Sequence, residues 1–221
     1  MATVKSTRTY DSTGRQAQAQ RSRDAVIQAA QRLFLSLGYA PTTIAAIATE
    51  AGVSVETIYK TFGGKPGLVR AIHERGLEGR GPTPAYERSD EMRSQETDPR
   101  TIMRKWGQLT AEVAPLGAPI LLLVRSAAAT DPEVEALLEE SDSARLQRMR
   151  HHASFLAQRG YLKAGISPAQ AADVLWTCSS PELYELLVLR RGWSLRRFGR
   201  FVGDFMITAL LPEEAPERSP D

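Results

Sequence analysis

Four dipeptides in this chain set a short oxygen-bearing side chain directly before a proline: Asp98-Pro99, Asp131-Pro132, Ser167-Pro168 and Ser180-Pro181. The Asp or Ser oxygen accepts from the free amides of a helix's first turn. Proline at the first helical position forfeits no hydrogen bond there, and its φ is already helical. Each dipeptide therefore predicts a helix start, and Gln170 completes a capping box with Ser167. Pro115 and Pro119 predict a break or kink between Thr101 and Ala129. A last helix is expected from Ser194 to Leu211, with Leu195, Phe198, Val202, Phe205 and Ala209 on one face. No segment shows strand alternation, a hairpin turn pair or an internal repeat, so the expected fold class is all-α.

The first 97 residues divide by composition. Residues 1–20 are rich in Ser, Thr, Gln and Arg without an apolar period, and are expected to form a disordered basic arm. Helical spacing starts near Arg21: Val26, Ala29, Ala30, Leu33 and Leu37 make one stripe, which Gly38 ends. Thr42 or Thr43 can cap a second helix carrying Ile44, Ile47, Ala48 and Ala51, ended by Gly52. Ser54 can cap a short third helix to Phe62, and a fourth runs from Lys65 to about Leu77. Residues 79–97 are rich in Pro, Gly and charge and are expected to be a linker or loop.

Two short helices joined at Gly52 need apolar groups only on their shared inner side, and Ile44, Ile47, Ala48, Val53, Ile58 and Phe62 supply them. The outer side of the second is left with Val55, Glu56, Thr57, Tyr59, Lys60 and Thr61, which have the size and polarity to meet base edges and phosphates in a major groove. Its N-terminus at Ser54 turns free amides toward an anion. The same spacing also suits an ordinary helical hairpin. The order of residues resembles the DNA-binding domain of the TetR family of repressors. The resemblance runs from Arg32-Leu33-Phe34 and Gly38-Tyr39 through Thr43-Ile44, Ile47-Ala48, Ala51-Gly52-Val53-Ser54, Thr57-Ile58-Tyr59 and Phe62 to Lys65-Pro66-Gly67-Leu68. It implies a three-helix helix-turn-helix domain over 21–78 and a helical ligand-binding and dimerisation domain over 98–211, with a loose tail at 212–221.

The resemblance also implies roles. Thr43 and Ser54 would touch phosphates. Val55, Glu56 and Thr57 would face bases, with a phosphate as the alternative for Thr57, and Tyr59 would lay its ring on the sugar-phosphate backbone or a thymine methyl, with its hydroxyl on phosphate. Lys65 would clamp a phosphate. Thr61 stands where the family often has a histidine, which shortens or removes that contact. Lys60 is the base reader that chemistry favours, with a phosphate contact as its alternative. Arg8, Arg15, Arg21 and Arg23 could add minor-groove contacts or stay solvated.

Charge is consistent with such a head. The first 80 residues hold 11 Lys/Arg against 6 Asp/Glu, within a chain whose formal charge is only +2. Cys178 is the single cysteine, so no intrachain disulfide forms, which fits a cytoplasmic protein. The first 23 residues lack a signal-peptide apolar run, and the apolar stretch Ile120 to Val124 is too short to span a bilayer, so no membrane partner is expected.

By resemblance the chain is a homodimeric repressor, released from a palindromic operator in double-stranded DNA by a small-molecule effector. Ser180–Arg191 (Leu183, Leu186, Leu187) and Ser194–Leu211 would form the dimer interface or close the monomer core. Candidate ligand contacts are Met103, Trp106, Leu109, Arg125, Phe155, Trp176 and Tyr184. Arg125 follows an apolar run and, if buried, would need an anionic partner. His151 and His152 point about 100° apart on a helix and cannot share one metal well, so neither a metal site nor a cofactor is expected. The alternative is a sequence-tolerant or architectural DNA-binding protein. A helical enzyme would need a nucleophile–base order, a phosphate loop or metal spacing, and none is recognisable.

Overall fold

The structure is a computed structural model that describes residues 12–81 and 83–213. Every regular element among them is helical: α1 (Ser12–Leu37), α2 (Ile44–Ala51), α3 (Val55–Phe62), α4 (Lys65–Glu78), α5 (Ala85–Gln95), α6 (Pro99–Ala128), α7 (Pro132–Gln158), α8 (Pro168–Cys178), α9 (Pro181–Tyr184) and α10 (Leu195–Leu210). The chain divides into two compact units, one ending at Leu68 and the other beginning at Val69. α4 starts in the first and continues into the second.

In the first unit, α1 buries Val26, Ala29, Ala30 and Phe34, and α2 and α3 add Ile47, Ala48 and Ile58. Thr42 is buried beside them because its hydroxyl donates back to the Gly38 and Leu33 carbonyls at 2.7 and 3.2 Å. Thr43, its neighbour, caps α2 by accepting the Ala46 amide at 3.1 Å. Gly52 ends α2 in the left-handed region at φ 66°, a conformation that glycine adopts without strain. One expectation changes here. α1 is already helical at Ser12, so the part of the expected arm from residue 12 onward is ordered; Arg8 and the rest of the arm lie outside the described residues.

The second unit packs α6 against α7 and α10, with α8 on α7 and α10. The expected caps form at Asp98, Asp131, Ser167, Ser180 and Ser194, and the Ser167–Gln170 capping box is complete. α6 and α10 cross on glycine: a Cβ at Gly107 would fall on the Gly199 carbonyl and within 2.7 Å of the Gly203 nitrogen. α9 passes into a π-helical turn, Glu185–Arg190, before the chain reverses at Gly192.

Two features of this unit differ from the sequence reading. The break expected at Pro115 or Pro119 does not occur, since α6 is one continuous helix through both. The two prolines stand one turn apart, so their missing amides fall on one side of the helix and the other side keeps its ladder. At 30 residues, α6 is long and apolar enough to cross a membrane. It nevertheless serves as a core helix, burying Ile102, Met103, Trp106, Ile120, Leu121 and Val124. Within the expected 79–97 loop stands α5. Its sequence is almost wholly polar, and it is held by Arg88, whose guanidinium bonds Glu112 of α6 at 2.5 and 3.0 Å.

Candidate functional site

α3 offers the clearest functional surface in the first unit. Its start is fixed by Ser54, whose hydroxyl accepts the Thr57 amide at 3.1 Å and contacts the Thr57 hydroxyl at 2.8 Å. Its end is fixed by Gly63 at φ 77°. Ile58 is its one fully buried side chain, and Phe62 is half-buried beneath the Arg23 guanidinium, 4.9 Å from the ring. Val55, Glu56, Thr57, Tyr59, Lys60 and Thr61 are all exposed, Tyr59 to 53%. A surface helix that leaves a valine and a tyrosine facing water over two turns has a face kept for something other than its own core.

Three neighbouring features hold that face. Glu50 on α2 pairs with Arg32 on α1 at 2.7 Å. Gly67 lies so close to the end of α3 that a Cβ there would fall on the Phe62 carbonyl. Lys65 sits half-buried at the start of α4, with its ammonium 4.3 Å from the centre of the Tyr39 ring and donating to the Ala40 carbonyl at 3.2 Å. Thr43 and Ser54 are exposed at their helix starts. α3 thus brings Ser54 through Thr61 onto one short element, with Thr43 and Lys65 at the starts of the helices on either side of it.

The second unit encloses a cavity of about 470 Å³. α4 contributes Arg70, His73, Glu74 and Leu77 to its wall, α5 contributes Ala85, Tyr86 and Ser89, and the rest comes chiefly from α6 and α7. The lining is mostly apolar. Burial holds His73 below its ordinary imidazole value, with Arg145 adding to the effect. His152 is held well below it, first by burial and then by Arg148, Arg93 and His151, so both rings are neutral at pH 7. Burial pushes the Cys178 thiol up to about 12, which leaves it a protonated, inert wall group.

Of the seven residues proposed for a ligand, Trp106 and Leu109 line this cavity. The other five do not. Met103 and Tyr184 are buried in the core, and Phe155 packs against it between the Arg93 and Arg159 guanidinium groups. Trp176 lies under Arg145, whose guanidinium is 4.4 Å from the ring centre. Arg125 is 41% exposed and pairs with Glu182: it follows buried Val124 by one residue, which turns it about 100° away from the core. Sequence spacing missed Ser89 and His152, because a serine and a histidine on polar stretches carry no periodic signal.

The two helices expected to offer a dimer face also divide differently from the expected face. Phe198 and Val202 are fully buried in the monomer, whereas Leu195, Phe201 and Phe205 on α10 remain exposed, together with Leu186 and Leu189 of the preceding turn. Phe201 stacks on Phe205 at 6.1 Å and meets the edge of Trp193 at 5.5 Å.

Residues 26–72 match the family model for bacterial regulatory proteins of the tetR family. No curated protein matches the sequence. Solved structures share the fold over most of their length. The SmeT–triclosan complex superposes with a TM-score of 0.68 at 22% identity, covering 90% of this chain and 97% of that one. NalD of Pseudomonas aeruginosa, described as the secondary repressor of the MexAB-OprM multidrug efflux pump, gives 0.68 at 18% identity, over 87% of this chain and 98% of its own. A transcriptional regulator of Saccharomonospora viridis in complex with choline gives 0.62 at 17% identity, over 88% of this chain and all of its own.

Proposed function

We propose that this chain, whose residues 26–72 match the family model for bacterial regulatory proteins of the tetR family, acts in the cytoplasm as a homodimeric repressor, leaving a palindromic operator when a small molecule enters the cavity of the second unit. The observation that carries the reading is the exposed face of α3, Val55 through Thr61, on a helix capped at both ends and anchored by Ile58. Ser54 and Thr43 suit phosphate contacts at helix starts, where backbone amides and dipole favour an anion. Lys60 and Tyr59 suit the groove, with Glu56 able to accept from a cytosine amine. Lys65 suits a phosphate contact only if its ammonium leaves the Ala40 carbonyl.

A single head offers too few contacts for a tight specific site, and a two-fold dimer doubles them at half-sites about one helical turn apart. The exposed Leu186, Leu189, Leu195, Phe201 and Phe205 supply an apolar face for a second copy. The effector step rests on α4. The helix begins with Lys65 and continues to His73, Glu74 and Leu77 on the cavity wall, so a ligand that displaces those side chains moves a helix whose first turn belongs to the head.

Selecting bound sequences from a random DNA pool tests the reading directly. A palindrome whose half-sites are one helical turn apart is expected. Affinity for the selected site equal to that for random DNA at physiological salt would instead mark a sequence-tolerant DNA-binding protein.

A further inference from the structure

The cavity wall contains a polar cluster whose hydrogen bonds the protein leaves incomplete. Trp106 and His152 are 6% and 4% exposed, and their rings lie tilted against each other with centroids 4.4 Å apart. Ser89, 4% exposed, meets His152 Nε2 at 3.4 Å. The indole Nε1 of Trp106 and the Nδ1 of His152 are buried with no partner in the protein, although both residues line the cavity. Leaving such groups unpaired in a dry cavity is costly, and a bound group of matching polarity recovers that cost.

The charges around the cluster narrow the match. Three arginines line the cavity, and each is already committed to a carboxylate: Arg70 to Glu140 at 2.5 Å, Arg145 to Asp142 at 3.0 Å and Arg148 to Asp90 at 3.0 Å. Arg145 spends further donors on the Trp176 carbonyl and the Ser179 hydroxyl, and Arg148 on the Tyr86 carbonyl. The lining carboxylates Glu74 and Glu140 are both exposed. An anion or a cation at Trp106 would therefore be desolvated without a free counter-charge.

We propose that the effector is an uncharged, largely apolar molecule bearing a hydroxyl or similar donor–acceptor group, which accepts from Trp106 Nε1 and bonds His152 Nδ1. This rests on the reading of the cavity as an effector site. His152 stays neutral for the reasons given above, so its Nδ1 donates or accepts according to how the Ser89 hydroxyl is turned. A hydroxyl satisfies either arrangement, whereas an ether satisfies only one and a protonated amine, which cannot accept from Trp106, satisfies neither.

The test titrates the purified full-length chain by calorimetry at neutral pH with three probes of similar size: para-phenylphenol, para-methylbiphenyl and biphenyl carboxylate. The phenol is expected to bind about tenfold tighter than either of the others, the value of one well-placed buried hydrogen bond. Trp106→Phe should shrink the phenol's advantage over the methyl compound, since only the His152 bond remains, with the fold checked by far-UV circular dichroism. The proposal is overturned if the carboxylate matches the phenol, if the methyl compound matches it, or if none of the three binds. A separate arm measures operator affinity with and without the phenol. Selective binding without any change at the operator would sink the effector reading and leave the cavity chemistry standing.

Discussion

The Ser54 hydroxyl accepts the Thr57 amide and is also exposed at the helix start where a phosphate would sit, so substitutions can separate the two roles. Ser54→Ala should lower stability by about 1 kcal/mol through loss of the cap. Ser54→Asp keeps a capping oxygen, so it should hold the wild-type unfolding midpoint in urea while weakening operator binding, because its carboxylate repels phosphate. Equal DNA affinity for wild type and the Asp variant would remove Ser54 from the interface. Tyr59→Ala and Lys60→Ala expose no core, since both side chains already face solvent. Each should cost about 1–3 kcal/mol of operator binding in a gel-shift titration without altering the thermal midpoint. Sequence reasoning saw this surface because only Ile58 and Phe62 of α3 carry the inward apolar signal. It did not see that Tyr39 and the Ala40 carbonyl engage Lys65, a contact spanning 25 residues of sequence.

Among the elements, legibility follows how local the stabilising contact is. The caps at Asp98, Asp131, Ser167 and Ser180 act within three residues of themselves, and all four formed as their dipeptides predict. α5 has almost no apolar stripe and depends on Arg88 reaching Glu112, 24 residues away, so nothing in residues 85–95 announces it. That pair makes α5 sensitive to acid. Arg88 beside it, and the Arg80 amide at 2.6 Å, hold the Glu112 carboxyl below its ordinary value of 4.5. A depressed folded value means its stabilisation is complete above 4.5 and is lost as pH falls through the lower folded value. Glu112→Gln should therefore cost about 1–3 kcal/mol at neutral pH. The gap to wild type in urea midpoint should close as the pH is lowered; a gap that stays constant would mean the pair contributes packing rather than charge. At the α6–α10 crossing the constraint is steric. Gly107→Ala should destabilise by about 1–3 kcal/mol by forcing the helices apart at Gly199 and Gly203. Spacing did not reveal this crossing, because a glycine within a helix signals close approach only once its partner is known.

At the scale of the whole molecule the charges are divided, with a surplus of five positive charges in the first 80 residues of a chain whose net is +2. A basic head gains affinity by releasing counterions from DNA, so operator binding should weaken steeply with salt, and the slope reports how many phosphates are met. Dimerisation multiplies that number. If the exposed Leu195, Phe201 and Phe205 on α10 seat a second copy, Phe205→Glu places two like charges across the two-fold axis, where apolar burial had been favourable. Phe205 is already 45% exposed in the single chain, so the substitution should leave the monomer fold intact. Sedimentation should then show monomers at concentrations where wild type is dimeric. In gel-shift titrations against salt the slope should fall to about half, since each monomer meets the phosphates of only one half-site. A variant that sediments as a dimer with an unchanged slope would move the interface elsewhere on the molecule. A monomer that keeps the full slope would show that one head alone makes all the phosphate contacts, and the two-fold operator would have to be abandoned.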